Sequence, residues 1–399
     1  MKGKKAFLLS FIAFVAYYMQ GMLYPSGSII SQGFLLLFLL IGFVFFVKLI
    51  PSIPSNPRFV NIWILFFLML CFCFLLSPKT VYGSINEAIG TVSTSAQFKG
   101  IAMFSLSFFT AYAIARRQQF SEKWIFWIAM IFLAMSVLRF FYQLMTLTEE
   151  KESESAGVTN NAGYIILSVF PYLALTLKRY KIMTVISAII IAITVIMSSK
   201  RGAIAILFAM LLFSLYYYFK THKISFKSIV GAFIAITLLG TAIYYQYESN
   251  DYLQRRMEKT SEDGIGTRDL AYSMLFNHWV NETNFFKFTF GNGTAQSIEV
   301  WGNYAHNDWL ELLIDNGLLG VILYASIFIS LSRYIRKSKL PPNYRLAIHL
   351  CVIYWFMKSI FSMGYMQETG AILLFLLGII IGNYEMKRHL PKYIHQKQH

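Results

Sequence analysis

Apolar residues fill the chain in about a dozen runs, each near the roughly 20 residues that a helix needs to cross a bilayer core about 30 Å thick. The runs fall at Ala6 to Tyr24, Ser28 to Ile50, Phe59 to Ser77, Phe98 to Ala115, Trp124 to Thr146, Asn161 to Leu177, Ile182 to Ser198, Gly202 to Phe219, Ser228 to Tyr247, Gly317 to Leu331, Leu346 to Tyr365 and Gly370 to Tyr384. One long polar segment, Glu248 to His306, separates the ninth run from the tenth. The pattern predicts an all-α polytopic membrane protein with about 12 transmembrane helices. Residues 1–399 read as a single transmembrane domain, and 248–306 as its one large loop. Aromatic residues gather at many run ends, as at Tyr17 and Tyr18, Trp124 and Trp127, Tyr216 to Tyr218, and Tyr244 and Tyr245. Amphipathic rings favour the headgroup level, so the segmentation has a second, independent signal.

Composition agrees: 57% of the 399 residues are hydrophobic and 14% charged. The net charge of +16 is distributed by side. An even number of crossings puts both termini together. With that side inside, the inner segments hold 23 Lys and Arg against 2 Asp and Glu, and the outer ones 10 against 17. Positively charged loops resist translocation, so both termini are expected in the cytoplasm and the Glu248 to His306 and Glu149 to Thr159 loops outside. The basic balance is then a topology signal, and no nucleic-acid partner is implied. Apart from Lys48 and Lys99 at run ends, only Arg139 and Lys358 lie within the runs. The N-terminal Met1-Lys2-Gly3-Lys4-Lys5 leads into a run without a small-residue cleavage pattern and reads as a retained first helix. Cys71, Cys73 and Cys351 all lie in predicted helices, which offers no disulfide framework. Pro51, Pro54 and Pro57 mark a stiff inner connector, and Glu149 to Ser155 a solvated turn whose Glu152 and Glu154 form a weak cation pattern.

Three polar patterns belong to the outer face. Ser198-Ser199-Lys200-Arg201-Gly202 is a whole connection, and its two cations violate the inside bias. Either they snorkel to outer-leaflet phosphates or they bind an anionic ligand, for which Gly202 at a helix start leaves backbone N–H groups open. Gly264-Ile265-Gly266-Thr267-Arg268-Asp269 precedes a helix from about Leu270 to Trp279. Arg268 in its first turn calls for a negative neighbour, either Asp269 as an ion pair or a ligand. The third pattern is Asn303-Tyr304-Ala305-His306-Asn307-Asp308-Trp309 through Gly317 and Gly320. Read as a helix, it sets Trp309, Leu312, Leu313 and Leu319 on an apolar face, with Asp308, Glu311 and Asp315 sharing the polar one. His306 just ahead of those carboxylates is a candidate general base near neutral pH. A His-x-Asp-x-x-Glu metal site would lack a second His or Cys, so no metal is expected. His278, between Phe276 and Trp279, reads as a packing residue.

Lys200-Arg201-Gly202 between two helices, Gly266-Thr267-Arg268 in a long outer loop, Phe290-Gly291-Asn292-Gly293, and His306-Asn307 followed after nine residues by Gly317-x-x-Gly320 together resemble the O-antigen ligase and polymerase superfamily of bacterial envelopes. The resemblance covers roughly residues 180 to 330. It implies a C-type membrane glycosyltransferase in the bacterial inner membrane, using an undecaprenyl-pyrophosphate-linked oligosaccharide as donor on the periplasmic face and needing no metal or other cofactor. It further implies that Arg201 and Arg268 engage the donor pyrophosphate and that His306 stands by the acceptor. Lys200, Asn307, Asp308 and Glu311 complete the expected substrate-binding set. The acceptor is a second lipid-linked repeat unit in a polymerase of O-antigen or capsular polysaccharide, or lipid A core in a ligase; membrane lipids, a chain-length regulator and a flippase are the expected partners. The single Arg255 to Gly266 spacing leans toward polymerase. A lipid-glycan transporter, the reading from another class, would show charged midplane sites and repeated halves, and no halves repeat here.

Overall fold

A computed structural model describes residues 3–82, 91–149, 161–221, 226–249, 254, 267–365 and 369–396. The acidic turn with Glu152 and Glu154, the Gly264-Ile265-Gly266 triplet and the whole Arg255 to Gly266 spacing lie outside them. The predicted runs are helical: α1 (Gly3–Tyr18), α2 (Ile29–Leu49), α3 (Arg58–Leu76), α4 (Thr94–Ala115), α5 (Glu122–Glu149), α6 (Ala162–Leu167) with α7 (Phe170–Thr176), α8 (Lys181–Met197), α9 (Arg201–Thr221) and α10 (Phe226–Glu248). The loop contributes α11 (Thr267–Val280), α12 (Phe285–Phe290) and α13 (Gln296–Trp301). The chain then closes with α14 (Asp308–Lys337), α15 (Pro342–Phe361) and α16 (Thr369–Gln396). A two-stranded antiparallel hairpin, β1 (Thr80–Tyr82) and β2 (Thr91–Ser93), pairs Val81 with Val92.

Seven helices among the described residues are long and apolar enough to cross a membrane, as an all-α polytopic membrane protein requires. Four of the other five runs fall short for visible reasons. α1 and α8 have 16 and 17 residues. The sixth run is two short helices, with Pro171 at the start of the second, where its missing N–H costs nothing. α15 carries Arg345, His349 and Lys358 among its apolar residues.

α4 and α16 form the centre, with 89% and 83% of their apolar windows buried, whereas α9 at the periphery has 22%. Gly378 and Gly382, four apart, let the two central helices touch: a Cβ at either would stand 2.7 Å from the carbonyl oxygen of Phe108 or Tyr112. Peripheral helices turn Leu36, Leu40, Ile189 and Ile193 outward, which suits hydrocarbon rather than water. Arg139, inside α5, donates to the Tyr18 carbonyl at 2.7 Å with its guanidinium 4.2 Å from the Tyr18 ring. It caps the end of α1 and has a partner for its charge in the Tyr18 carbonyl and ring.

The helix that carries the third pattern begins at Asp308, nine residues before the apolar run, and kinks at Gly317 (φ 63°, ψ −166°). The kink frees the carbonyls of Ile314 and Asp315, which accept from Asn292 N–H at 2.9 Å and Gly293 N–H at 3.0 Å. The two glycine motifs therefore close on each other. A Cβ at Gly291 would sit 2.3 Å from the Asn316 nitrogen, and one at Gly317 2.5 Å from the Thr289 carbonyl carbon. With positive φ as well, both positions admit only glycine without a backbone shift.

Candidate active site

The carboxylates Asp308, Glu311 and Asp315 share one face of α14, as their spacing of three and four requires. That face is buried, not solvated: the three side chains are 0%, 0% and 1% exposed. A buried carboxylate must find donors, and each does. Asp315 accepts from the N–H groups of Ala295 (2.9 Å), Gln296 (2.9 Å) and Ser297 (3.3 Å) and from Gln97 Nε2 (3.3 Å), so it caps α13 from another helix. Glu311 accepts from the Ser297 hydroxyl and the Ala305 N–H. Asp308 accepts from Gly364 N–H (2.7 Å), Tyr365 N–H (3.3 Å) and the Tyr324 hydroxyl (2.6 Å). The oxygens of Asp308 and Glu311, both expected at the substrate, hold the loop and the α15–α16 turn in place.

His306 stands between two pinned neighbours. Ala305 is held by Glu311, and Asn307 caps α14, its Oδ1 accepting from Trp309 N–H at 3.0 Å and Leu310 N–H at 3.3 Å while its Nδ2 donates to the Ile360 carbonyl at 3.4 Å. Asn307, expected at the substrate, thus works as a cap. The His306 backbone is forced to φ 54°, a left-handed conformation costing a bulky side chain about 1–3 kcal/mol that only such over-determined surroundings sustain. Among the described residues no hydrogen bond engages its ring, which leaves both ring nitrogens for a ligand.

The cations of the other two motifs reach this histidine. Burial, then the charge of Arg268, then that of Lys200, push His306 down to about 4. This reverses the expectation of a base tuned near neutral pH by adjacent carboxylates, since those carboxylates face away into the loop. Arg268, in the first turn of α11, is exposed and forms no ion pair with Asp269 among the described residues, so the paired alternative is not realised. Arg201 is the first residue of α9, also exposed, and Lys200 before it is half-buried. Ser199 reaches that turn through a second left-handed backbone, φ 52°.

Two residues at the site escaped sequence reasoning. Tyr164, 5% exposed, lies on the backbone just after Arg201: a Cβ at Gly202 would meet its hydroxyl at 2.2 Å. The glycine of the Arg201-Gly202 pair therefore makes room for a phenol. Lys358, 0% exposed, stands 5.4 Å from the Tyr164 ring centroid and within electrostatic reach of Asp308. Its lone charge within an apolar run was a signal, but its partners come from helices far away in sequence. His278, expected to pack, is exposed; its neighbour Trp279 stacks on Phe288 at 4.4 Å instead. Among the described residues no three His, Cys, Asp or Glu side chains gather as metal ligands.

The arrangement presents a half-buried imidazole, two exposed arginines and a lysine at one end of the bundle, beside lipid-facing helices. That geometry can receive an anion at the cations and a hydroxyl at the imidazole. Residues 186–325 match the model of a family described as O-Antigen ligase, a stretch that contains Lys200, Arg201, Arg268, His306, Asn307, Asp308 and Glu311. A search of curated proteins finds no match. That stretch is thus similar to O-antigen ligases, and with the apolar helices it supports a membrane enzyme of ligase or polymerase type.

Proposed function

We propose that this chain, with its O-antigen ligase domain, is an inverting glycosyltransferase that takes an undecaprenyl-pyrophosphate-linked glycan as donor and polymerises O-antigen or capsular repeat units on the periplasmic face of a bacterial inner membrane. The observation that carries this reading is the convergence of Arg268 and Lys200 on a partly buried His306. In the reaction the acceptor's sugar oxygen attacks the anomeric carbon and its proton passes to His306. The anomeric carbon to pyrophosphate bond breaks, and the lipid pyrophosphate departs with its charge met by Arg268, Arg201 and Lys200. Guanidinium forks neutralise pyrophosphate bidentately, which supplies the charge that a divalent ion supplies in other transferases. His306 is neutral across the physiological range and so can accept a proton, and a donor pyrophosphate beside Arg268 and Lys200 offsets the charges that weaken it as a base. In this reading Asp308, Glu311 and Asn307 are positioning residues, and about 12 crossings put both termini in the cytoplasm, where a flippase and a chain-length regulator would be neighbours.

The family description favours a second reading, transfer to lipid A core. Both readings use the same donor chemistry and differ in the acceptor. Purified protein given the lipid-linked glycan alone, or with lipid A core, separates them. A polymerase lengthens the lipid-linked glycan and releases undecaprenyl pyrophosphate without added core; a ligase releases it only with core. Absence of release under both conditions overturns the transferase reading and leaves the transporter, whose activity needs two compartments.

A further inference from the structure

At the opposite end of α14 from His306, 30 residues and about 45 Å of helical rise away, the chain builds a second charged feature. A cavity of about 1180 Å³ opens between the Pro54 to Pro57 turn, the start of α3 and the ends of α14 and α16. Six cations line it: Arg58, Arg333, Arg336, Lys337, Lys339 and Arg388. The lining includes one carboxylate, Glu385, which is 2% exposed, accepts from the Tyr334 hydroxyl at 2.7 Å and stands 3.8 Å from Arg388. Arg58, Arg333, Arg336, Lys337 and Lys339 make no ion pair among the described residues.

A general excess of cations on the inner side explains why these residues are on that side. It does not explain why three separate segments turn them into one hollow, where like charges repel unless an anion is present. The hollow exceeds the roughly 300–1,000 Å³ of ordinary ligand pockets, so it has room for more than a single phosphate. It lies at the ends of apolar helices, where lipid headgroups sit, and basic pockets between membrane helices on the cytoplasmic side are a recurrent setting for polyanionic headgroups. We propose that this cavity is an anion site that holds a diphosphate-bearing ligand, with an anionic phospholipid carrying two phosphates as the source its location favours. The site is separate from the transferase centre and does not rest on that reading.

The test uses the full chain, purified and delipidated. Its melting temperature is measured with cardiolipin, with inorganic pyrophosphate and with phosphatidylcholine, and retained lipid is counted by native mass spectrometry. Cardiolipin is expected to raise the wild-type melting temperature and stay bound, whereas phosphatidylcholine does neither. Arg333→Gln/Arg336→Gln/Arg388→Gln is expected to retain at least tenfold less cardiolipin, and Lys220→Gln, an exposed cation outside the cavity, to retain as much as wild type. A shift with pyrophosphate but not cardiolipin keeps the anion site and makes its source soluble. If neither probe shifts the wild type, if the triple variant binds as wild type does, or if Lys220→Gln loses as much, the proposal fails. Should the triple variant not insert, Arg333→Gln and Arg388→Gln singly are read in the same way.

Discussion

At the Asp308 end of α14 three carboxylates are buried and each is covered by protein N–H or O–H donors, while at the Lys337 end six exposed cations ring a hollow whose one carboxylate pairs with Arg388. The same helix thus carries charge used for architecture and charge left available. Desolvation makes the difference. A buried charge without partners costs several kcal/mol, so the carboxylates had to be satisfied as the chain folded. Exposed lysine and arginine keep water as their partner and can exchange it for a ligand. The proposed transferase site draws on both kinds: Arg268 is an exposed charge, beside a loop that the buried acids pin.

The largest expected break in this contrast is Asp315→Ala. It strips the acceptor from three buried N–H groups, each costing about 1–3 kcal/mol unsatisfied, so a loss of about 3 kcal/mol or more follows. Thermal unfolding should show a large drop or no folded protein, while Arg336→Gln stays within about 0.5 kcal/mol of wild type. Equal losses in the two variants would erase the distinction between architectural and available charge.

His306→Ala should leave melting nearly unchanged and slow glycan transfer per folded molecule by about 10² to 10⁴. The wild-type pH profile sharpens this prediction. A base pushed down to about 4 is neutral above that pH, so kcat/KM should hold steady from pH 7 to 5 and fall only as pH drops through about 4. Donor pyrophosphate between Arg268 and Lys200 offsets their repulsion of the imidazolium, so the limb in kcat should lie at higher pH than the limb in kcat/KM. A kcat/KM limb at the ordinary histidine value near 6.5 would mean that those cations do not act on His306.

Arg268→Lys keeps the charge but loses the fork, and about a hundredfold loss in rate is expected with melting unchanged, since the side chain is exposed. Near-normal yield and glycan length would remove Arg268 from the donor site. The smallest effect concerns metal. With the oxygens of Asp308, Glu311 and Asp315 occupied by protein donors, EDTA should leave turnover unaltered; loss in chelator with recovery on Mg²⁺ would place an ion at those acids or at Glu152 and Glu154.

Legibility in the sequence followed the range of the interaction. Apolar run length identifies the helices because the bilayer demands a length, and Lys and Arg placement sets the expected orientation. The acidic spacing of α14 places three carboxylates on one face, but the same spacing serves a wet face or a buried one. What lies opposite decides between them, and here it is Ala295 to Ala305 and the Gly364-Tyr365 turn, up to 57 residues away. Likewise the motif around His306-Asn307 points to a site, yet the acids next to it in sequence were poor guides to its basicity, because space rather than sequence sets which charges it feels. The glycines of Phe290-Gly291-Asn292-Gly293 and Gly317-x-x-Gly320 were legible as motifs and not as contacts.

By itself, then, the sequence determined a predominantly helical membrane chain and the residue types its long polar segment offers, since these depend on hydropathy, charge and spacing along one chain. Tertiary structure alone decided that Gly317 breaks α14 to receive the Gly291 turn, that Tyr164 fills the space over Gly202, and that Asp308, Glu311 and Asp315 are spent on backbone donors. The reason is common to all three. Each depends on a close approach between segments distant in sequence, and burial makes that approach either fully partnered or too costly to keep.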